Sequence, residues 1–372
     1  MKSADILVIG GGIVGCSIAM HLSRRGKSVI LLERGVAGGQ ASGVNAGGVR
    51  QLFRDIREIP LSIASQKMWH QIESLVGNDC GFRPCGQISL AENEKEMRNF
   101  EERVDLLKSL GYSHEKLVDK KQLRHIVPNV SSHCIGGLYC RDDGAAEPYK
   151  ATRSFFNKAK QLGAQLFEHH PVSSIERTTE KWIAAAGNKR FSAPILVNCA
   201  GAWGAHIAEM IGDYAPLYKK ASVLTVTAPT SKFLDPVVLL EGRKLSFKQM
   251  ANGTVVIGGG FDAKLDIETE KSLIDFSELK TMAQTVIDLF PFMKQVPIIR
   301  CWPGIIGRMP DNIPVVGPSE NAIDFYHAFG FSGHGFQLGP IIGQILSELI
   351  LDRRSSISID SFLIDRFTDD KQ

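Results

Sequence analysis

A glycine-rich turn close to the start of the chain constrains its fold more than any other feature. The turn follows a short apolar run and precedes a stretch with apolar residues at helical spacing, and a second apolar run then stops on an acid. The order strand, glycine turn, helix, strand and acid is typical of a βαβ unit that binds a dinucleotide. The ligand contacts expected from this unit are Gly10, Gly12, Ile13, Val14, Gly15, Glu33 and Arg34.

The glycines of the turn have separate tasks in such a unit. Gly10 permits the tight turn, Gly12 lets the backbone approach a pyrophosphate, and Gly15 lets the helix pack closely. The helix N-terminus offers free N–H groups and a partial positive charge to the phosphates. Glu33 lies where a carboxylate holds a ribose hydroxyl. Because no basic residue directly precedes Glu33, the pattern favours FAD or NAD over NADP.

Length and composition describe an ordinary globular enzyme of one large or two medium domains. The chain has 372 residues, 22% of them charged, and a formal net charge of +3, so no polyanion such as nucleic acid is expected as a partner. No apolar run reaches the roughly 18 residues that suggest a transmembrane helix. The seven cysteines are scattered without a C-x-x-C pair, which suggests reduced thiols in a cytoplasmic protein and no metal site.

Beyond the second strand the chain departs from the usual pattern of nicotinamide enzymes. Residues 38–50 form a long glycine-rich stretch, read as a loop, that can lay its backbone along a larger ligand. A buried strand later ends in Ala-Gly-Ala-Trp at 200–203, and Gly-Phe-Ser-Gly-His-Gly-Phe at 330–336 forms a glycine turn ahead of a helix. The spacing of apolar residues predicts helices over 273–290 and 339–351.

In this order, the motifs resemble the D-amino-acid oxidase family of FAD enzymes, which includes glycine oxidase, sarcosine oxidase and the β subunits of heteromeric dehydrogenases. The resemblance covers nearly the whole chain. Within the family, residues 308–317 and 335–340 look most like β subunits that dehydrogenate proline, hydroxyproline or opines. The resemblance implies an α/β protein with a discontinuous, Rossmann-like FAD-binding domain and an antiparallel β-sheet substrate domain. The expected domains are 1–85, 145–215 and 315–372 for FAD, and 86–144 and 216–314 for substrate.

The resemblance also implies FAD contacts beyond the βαβ unit. These are Ala41, Ser42, Asn45, Ala46, Gly47, Gly48, Val172, Ala200, Gly201, Trp203, Gly304, Arg308, Gly330, Phe331, Ser332, Gly333, His334, Gly335, Phe336 and Gln337. Covalent attachment of the flavin would need a cysteine at a position that falls nearer Gly304 than Cys301. We therefore expect non-covalent FAD.

Amine oxidation by a flavin moves a hydride from the substrate α-carbon to flavin N5. The protein therefore supplies the orientation of the substrate and the electrostatic environment of the reaction. Arg50 is the first candidate for the substrate carboxylate, because a guanidinium can bind a carboxylate through two N–H groups; a phosphate-binding or surface role is the alternative. Arg308 is the second candidate, two residues beyond Ile306, where the arginine of glycine-oxidase-like enzymes would fall. The lysine that assists carboxylate binding in sarcosine-oxidase-like enzymes would fall on Gln337.

Two further positions bear on the electron transfer. By the resemblance, His334 lies near the flavin ring, where the turn and the following helix N-terminus would stabilise negative charge; a purely structural role stays open. Oxidases of the family that use dioxygen efficiently place a lysine over the flavin, at about Val256. No charged residue occurs from 254 to 260, and Lys248 is the nearest alternative upstream. We therefore expect slow reaction with dioxygen.

Three functions stay open at this point. The first is an FAD-dependent dehydrogenase of an amino acid or secondary amine that acts within a hetero-oligomer and passes electrons to a partner. The second is an oxidase that uses dioxygen and releases hydrogen peroxide. The third is a non-catalytic FAD electron-relay subunit. Arg50 and the expected substrate domain favour the first two.

Overall fold

Two large β-sheets organise residues 1–371, which are the residues that this computed structural model describes. In chain order the strands are β1 (Lys2–Ser3), β2 (Ile6–Ile9), β3 (Val29–Leu32), β4 (Gly48–Val49), β5 (Gln87–Ala91), β6 (Lys116–Asp119), β7 (Gly136–Cys140), β8 (Gly144–Ala145), β9 (Gln165–Phe167), β10 (Val172–Arg177), β11 (Trp182–Ala186), β12 (Lys189–Ala193), β13 (Ile195–Asn198), β14 (Tyr218–Thr227), β15 (Val237–Leu240), β16 (Ser246–Gln249), β17 (Val255–Gly258), β18 (Asp262–Asp266), β19 (Lys271–Ile274), β20 (Ile298–Arg308), β21 (Val315–Pro318) and β22 (Phe325–Phe329). The helices are α1 (Ile13–Arg24), α2 (Ala41–Val44), α3 (Ile59–His70), α4 (Ile72–Val76), α5 (Glu94–Ser109), α6 (Lys120–Ile126), α7 (Pro148–Gln161), α8 (Gly204–Glu209), α9 (Phe276–Leu289) and α10 (Gly335–Asp352).

The six-stranded sheet has the order β21-β22-β13-β2-β3-β9 and is parallel except for β21. All four residues of β2 are buried, as expected for a parallel strand covered on both faces. Helix α1 packs between α7 and α10 on one face of this sheet. The glycine turn therefore lies at the carboxyl end of a central strand, where open α/β sheets bind their ligands.

The ten-stranded sheet comprises the path β19-β18-β14-β17-β16-β15-β5-β7-β6 and β20, which pairs with β14. Its pairings are antiparallel except for β15 with β5. Its strands come from residues 87–140 and 218–308, while those of the six-stranded sheet come from 6–32, 165–198 and 315–329. The domain boundaries given above stay a prediction. Two small sheets, β1-β12-β11-β10 and β4-β8, complete the strands.

Three local predictions were wrong in part. The segment 273–290 is not one helix, because Leu273 belongs to β19, which pairs with β18, and α9 begins only after Asp275, whose side chain accepts a hydrogen bond from Ser277 N. An aspartate followed three residues later by Glu278 is a helix-start signal that could have placed this boundary. Helix α10 begins at Gly335 instead of 339, and the 38–50 loop contains the short helix α2.

A buried polar link lies beside the parallel sheet. His327 Nε2 on β22 is 2.7 Å from Asp213 Oδ2, and neither side chain is exposed to solvent. Asp213 also accepts hydrogen bonds from Asn321. Partial burial acts to raise the pKa of Asp213, but its hydrogen bonds, that from His327 first, lower it to about 2. The pair therefore holds a carboxylate inside the protein.

Replacing His327 with phenylalanine should destabilise the fold by about 2–3 kcal/mol, because the Asp213 carboxylate loses a hydrogen-bond donor that water cannot replace. The measurement is the free energy of unfolding in denaturant. His125→Phe, at an exposed position, is the matched control and should stay close to the native value. Equal stability of the two variants would show that the link contributes nothing.

Candidate active site

A cavity of about 330 Å³ lies between the glycine turn, the 38–50 loop and the turn ahead of α10. This volume is in the range of small-molecule and cofactor pockets. The predicted cofactor residues that line it are Gly10, Gly12, Ile13, Val14, Glu33, Arg34, Ala41, Ser42, Asn45, Val172, Ala200, Gly201, Trp203, Gly330, Phe331, Ser332, Gly333, Gly335 and Phe336. Lining residues that the sequence did not single out include Leu32, His170, Pro171, Cys199, His206 and Ile305.

The glycine turn has the close approaches expected of a phosphate-binding turn. Gly10 has a φ of +109°, and a Cβ there would lie 2.3 Å from Cys199 O. A Cβ on Gly15 would lie 2.0 Å from Gly10 O, so this glycine packs α1 against the turn instead of lining the cavity. Ser42 Oγ accepts a hydrogen bond from Ile13 N at 3.0 Å, which holds α2 beside the N-terminus of α1.

The carboxylate of Glu33 is partly engaged by the backbone. One oxygen accepts from Gly11 N at 2.6 Å and the other accepts from Gly35 N at 2.8 Å. Each carboxylate oxygen can accept more than one hydrogen bond, so Glu33 can also hold a ribose hydroxyl. The position of the acid at the cavity wall fits an adenosine group at this end.

A buried charge cluster lies at the end of the 38–50 loop. Arg54 is 2% exposed and Glu58 is 0% exposed. Arg54 Nη1 and both oxygens of Glu58 are buried without a hydrogen-bond partner among the described residues. Buried polar atoms without a hydrogen-bond partner are costly, and they favour a ligand or ordered water at the cluster.

His334 joins this cluster from the turn ahead of α10. Its Nδ1 is 2.8 Å from Glu58 Oε2, at an angle outside hydrogen-bond geometry, and its side chain is 18% exposed. A carboxylate oxygen so close favours the tautomer that carries its proton on Nδ1 and leaves a lone pair on Nε2. Burial, and then the charge of Arg54, lower the pKa of His334 to about 4. At neutral pH the ring is therefore uncharged.

Arg50 lies at the same end of the loop, held by its neighbours. Asp143 accepts hydrogen bonds from Gln51 N at 2.7 Å and from Leu52 N at 3.1 Å, which fixes the backbone just after Arg50. Within the described residues, the hydrogen bond of the Arg50 guanidinium goes to Leu52 O, so its other N–H groups are free for a ligand. Burial raises the pKa of Asp143 to about 6, against the opposing effect of these hydrogen bonds and of Arg50.

The side chains of Gln337 and Arg308 do not reach the cavity. Gln337 Nε2 donates to Ser62 O at 2.9 Å, and its Oε1 lies 3.4 Å from Arg54 Nη2, so it links α10 to α3. Arg308 Nη2 donates to Asn312 Oδ1 at 2.7 Å, and Ile306 lines the cavity instead. Arg50 and His334 do not line the cavity either. Of the two arginine candidates, however, Arg50 is the one that lies at the charge cluster, where Arg54 Nε donates to Arg50 O at 3.2 Å.

The remaining predicted contacts lie around the cavity without lining it. A Cβ on Gly304 would lie 2.9 Å from Val44, and Gly48 pairs with Ala145. Ala46 connects α2 to this pair. Cys301 packs against the core of the ten-stranded sheet. Non-covalent binding of the flavin stays a prediction.

The expectation about a lysine near Val256 needs a correction. The hairpin of β16 and β17 pairs Lys248 directly with Val256, so both side chains lie on one face of the sheet. Lys248 is 4% exposed, and its Nζ lies 2.9 Å from where a Cβ on Gly47 would be. Burial, and then the charge of Arg83, lower its pKa to about 8. A buried lysine therefore contacts the loop although residues 254–260 carry no charge.

Residues 1–371 contain neither a cluster of metal ligands nor a membrane-spanning helix. No group of three or more His, Cys, Asp or Glu side chains in that part of the chain is arranged to hold a metal ion. None of its helices combines the length and the apolar character needed to cross a membrane.

Comparisons with known proteins identify the family of this chain. The family described as "FAD dependent oxidoreductase" (DAO) matches residues 5–349, and the chain belongs to this family. It is 26% identical over 383 residues to the glycine oxidase of Bacillus subtilis (strain 168), covering 97% of each chain. It is 26% identical over 380 residues to one of the subunits of the opine oxidase of Rhizobium meliloti, covering 99% of this chain and 98% of the relative.

A solved structure gives the same result at the level of the fold. The L-proline dehydrogenase from P. horikoshii superimposes with a TM-score of 0.89 and 26% sequence identity, covering 99% of each chain. The predictions of the family, of its α/β fold, of FAD as cofactor and of an oxidoreductase acting on amino acids or amines are thereby confirmed.

Replacing Glu33 with alanine should weaken FAD binding by about 1–3 kcal/mol, because a charged hydrogen bond to the ribose is lost. The measurement is the FAD dissociation constant of the reconstituted apoprotein. Because Glu33 also accepts a hydrogen bond from Gly11 N, the unfolding midpoint of the apoprotein shows whether the glycine turn itself is destabilised. Glu180→Ala, at an exposed site, serves as control. Unchanged FAD affinity would assign the ribose to another residue.

Proposed function

We propose that this protein oxidises the C–N bond of an amino acid or secondary amine of the proline, hydroxyproline, opine or sarcosine type, and passes the electrons to a partner or a dye. FAD, when bound, accepts a hydride from the carbon next to the nitrogen. The observation that carries the proposal is the buried charge cluster at the end of the FAD-binding loop. There, two arginines have N–H groups free for a ligand.

Arg50 and Arg54 provide the part of the site that binds an anion. Arg54 Nη1 is buried without a partner, and Arg50 has N–H groups free. A substrate carboxylate would satisfy these donors, and guanidinium groups bind carboxylates with charge-assisted hydrogen bonds. Asp143 fixes the backbone of Gln51 and Leu52, just after Arg50, and so acts as a positioning residue.

His334 provides a hydrogen-bond acceptor close to the same cluster. An amine gives up a hydride from its α-carbon only when its nitrogen lone pair is free to form the C=N bond, so the substrate ammonium has to lose a proton. With its proton on Nδ1 beside Glu58, His334 has Nε2 available to accept a hydrogen bond from the amine and so to orient its nitrogen. Glu58 holds the ring in that tautomer.

Two relatives support the substrate class and the idea of a partner. One is named as a subunit of an opine oxidase, and another as an L-proline dehydrogenase. Both align over almost the entire chain. We extend the proposal accordingly to a hetero-oligomer in the cytoplasm in which a partner takes up the electrons.

A dioxygen-using oxidase that releases hydrogen peroxide is the second candidate. Lys248 favours it, because a buried cation near the flavin would stabilise the negative charge that develops on dioxygen during reduction. Glycine oxidase is among the relatives. No specific observation favours a non-catalytic electron-relay subunit.

The test is an anaerobic screen in which proline, hydroxyproline, an opine, sarcosine and a D-amino acid are added to the purified holoprotein. Bleaching of the flavin absorption by one of these amines is expected. Free FAD with the same amines is the negative control, and dithionite gives the fully reduced spectrum. If dithionite bleaches the flavin and none of the amines does, the result would contradict amine oxidation and support the relay function.

Arg50→Lys should lower kcat/KM for the best substrate by about 10- to 100-fold, since lysine keeps the charge but loses the two-pronged hydrogen bonding. FAD content should stay near the native value. Arg57→Lys is the matched control, because Arg57 lies on the same segment and pairs with Asp55. Loss of FAD in Arg50→Lys would instead make Arg50 a cofactor-binding or structural residue.

Dye reduction should be much faster than peroxide formation when both are measured on the same substrate. Lys248→Met should reduce the residual peroxide formation further and leave dye reduction within about twofold, because the lysine charge acts on dioxygen and not on the amine. Peroxide turnover that equals dye turnover in the native protein would establish the oxidase instead.

A further inference from the structure

The tip of one hairpin in the ten-stranded sheet reaches the wall of the FAD cavity. Strands β18 and β19 pair antiparallel, and residues 267–270 connect them. The last connecting residue, Glu270, has a left-handed φ of +53°. Its side chain contacts residues on the other sheet's side of the cavity, far from it in sequence.

The Glu270 carboxylate is the centre of a four-residue cluster. Oε2 accepts from Arg34 Nη1 at 2.9 Å, and Oε1 accepts from Lys219 Nζ at 2.5 Å. Oε1 also accepts from the indole Nε1 of Trp203. The Arg34 guanidinium carbon lies 3.4 Å from the Trp203 ring centroid, a cation–π contact. Without the carboxylate, the cations of Arg34 and Lys219 would lie together over the Trp203 ring.

Two members of this cluster belong to the cavity itself. Arg34 and Trp203 both line it, and Arg34 directly follows Glu33. The cluster therefore stands beside Glu33, at the end of the cavity that we assign to the adenosine group. Partial burial acts to raise the pKa of Glu270, but Lys219, Trp203 and Arg34 together lower it to about 2, so the carboxylate is charged at neutral pH.

The hairpin is attached to the sheet by a short ladder. Strand β18 pairs with β14 only through Ala221↔Ala263 and Ser222↔Asp262, and β19 is at the edge of the sheet. The base is held by Lys220 and Lys244, each of which forms an ion pair with Asp262. The tip, in contrast, is held across the cavity through Glu270. Loss of the tip contacts would leave this edge hairpin held at its base and by its packing against β20 and the sheet core.

We propose that the 262–274 hairpin is a latch on the cofactor: Glu270 holds Arg34 and Trp203 closed over the adenosine end of bound FAD, and has to release them before FAD can leave. The latch acts on the rate of FAD release and takes no part in the oxidation of the amine.

The test measures FAD release from the holoprotein by the rise in flavin fluorescence, with no substrate present. Glu270→Gln should release FAD about fivefold to tenfold faster, because partly exposed ion pairs with Arg34 and Lys219 are lost. Trp203→Phe retains an aromatic ring but loses the N–H donor to Glu270, and should accelerate FAD release by a smaller factor. Glu268→Gln makes the same charge change at an exposed position of the tip and should release FAD at the native rate.

Salt dependence supplies a second measurement, and its first part uses the native protein alone. Release from the native protein should accelerate as sodium chloride is added, since screening weakens the latch ion pairs, and release from Glu270→Gln should depend less on salt. Native release that is insensitive to salt, or a Glu270→Gln rate equal to that of Glu268→Gln, would overturn the latch. Because no amine is used, neither outcome depends on the proposed reaction.

Discussion

The close packing of the glycine turn against the neighbouring strand end is the constraint on which the rest of the site depends. The backbone of Gly10 and the Cβ position of Gly15 leave no room for a side chain, and this brings the N-terminus of α1 to the carboxyl ends of β2 and β13. The 38–50 loop, the Trp203 turn and the turn ahead of α10 then line a single cavity around that terminus. A larger residue at either glycine would separate these walls.

Helix packing also assembles the charge cluster, whose residues lie outside the cavity lining. Helices α3 and α10 meet through Gln337, whose backbone oxygen accepts from Ser65 Oγ at 2.5 Å and from Trp69 Nε1 at 2.9 Å. This contact brings Glu58, at the start of α3, beside His334, at the start of α10. Buried polar atoms that lack a hydrogen-bond partner in the protein alone, such as Arg54 Nη1, are costly, and a ligand that carries a carboxylate would complement this donor.

Local features could be predicted from the sequence, and contacts between distant segments could not. The turn and Glu33 were found because their spacing is fixed within one βαβ unit. Lys248 was named from the sequence as the nearest upstream alternative, but its pairing with Val256 was not predicted. The hairpin closes through three residues, with Met250 N donating to Thr254 O, and a change of one residue alters which side chains pair. Glu58 and Glu270 were missed because their partners His334 and Arg34 lie more than 200 residues away in the chain.

The central claim is that this cavity holds one FAD without a covalent bond. The most direct measurement is to precipitate the purified protein with acid and quantify flavin in the supernatant and in the pellet, relative to protein. The account predicts a yellow protein that releases about one FAD per chain into the supernatant. Flavin that stays with the pellet would contradict non-covalent binding, and a protein that neither carries nor takes up FAD would contradict the assignment of the cavity itself.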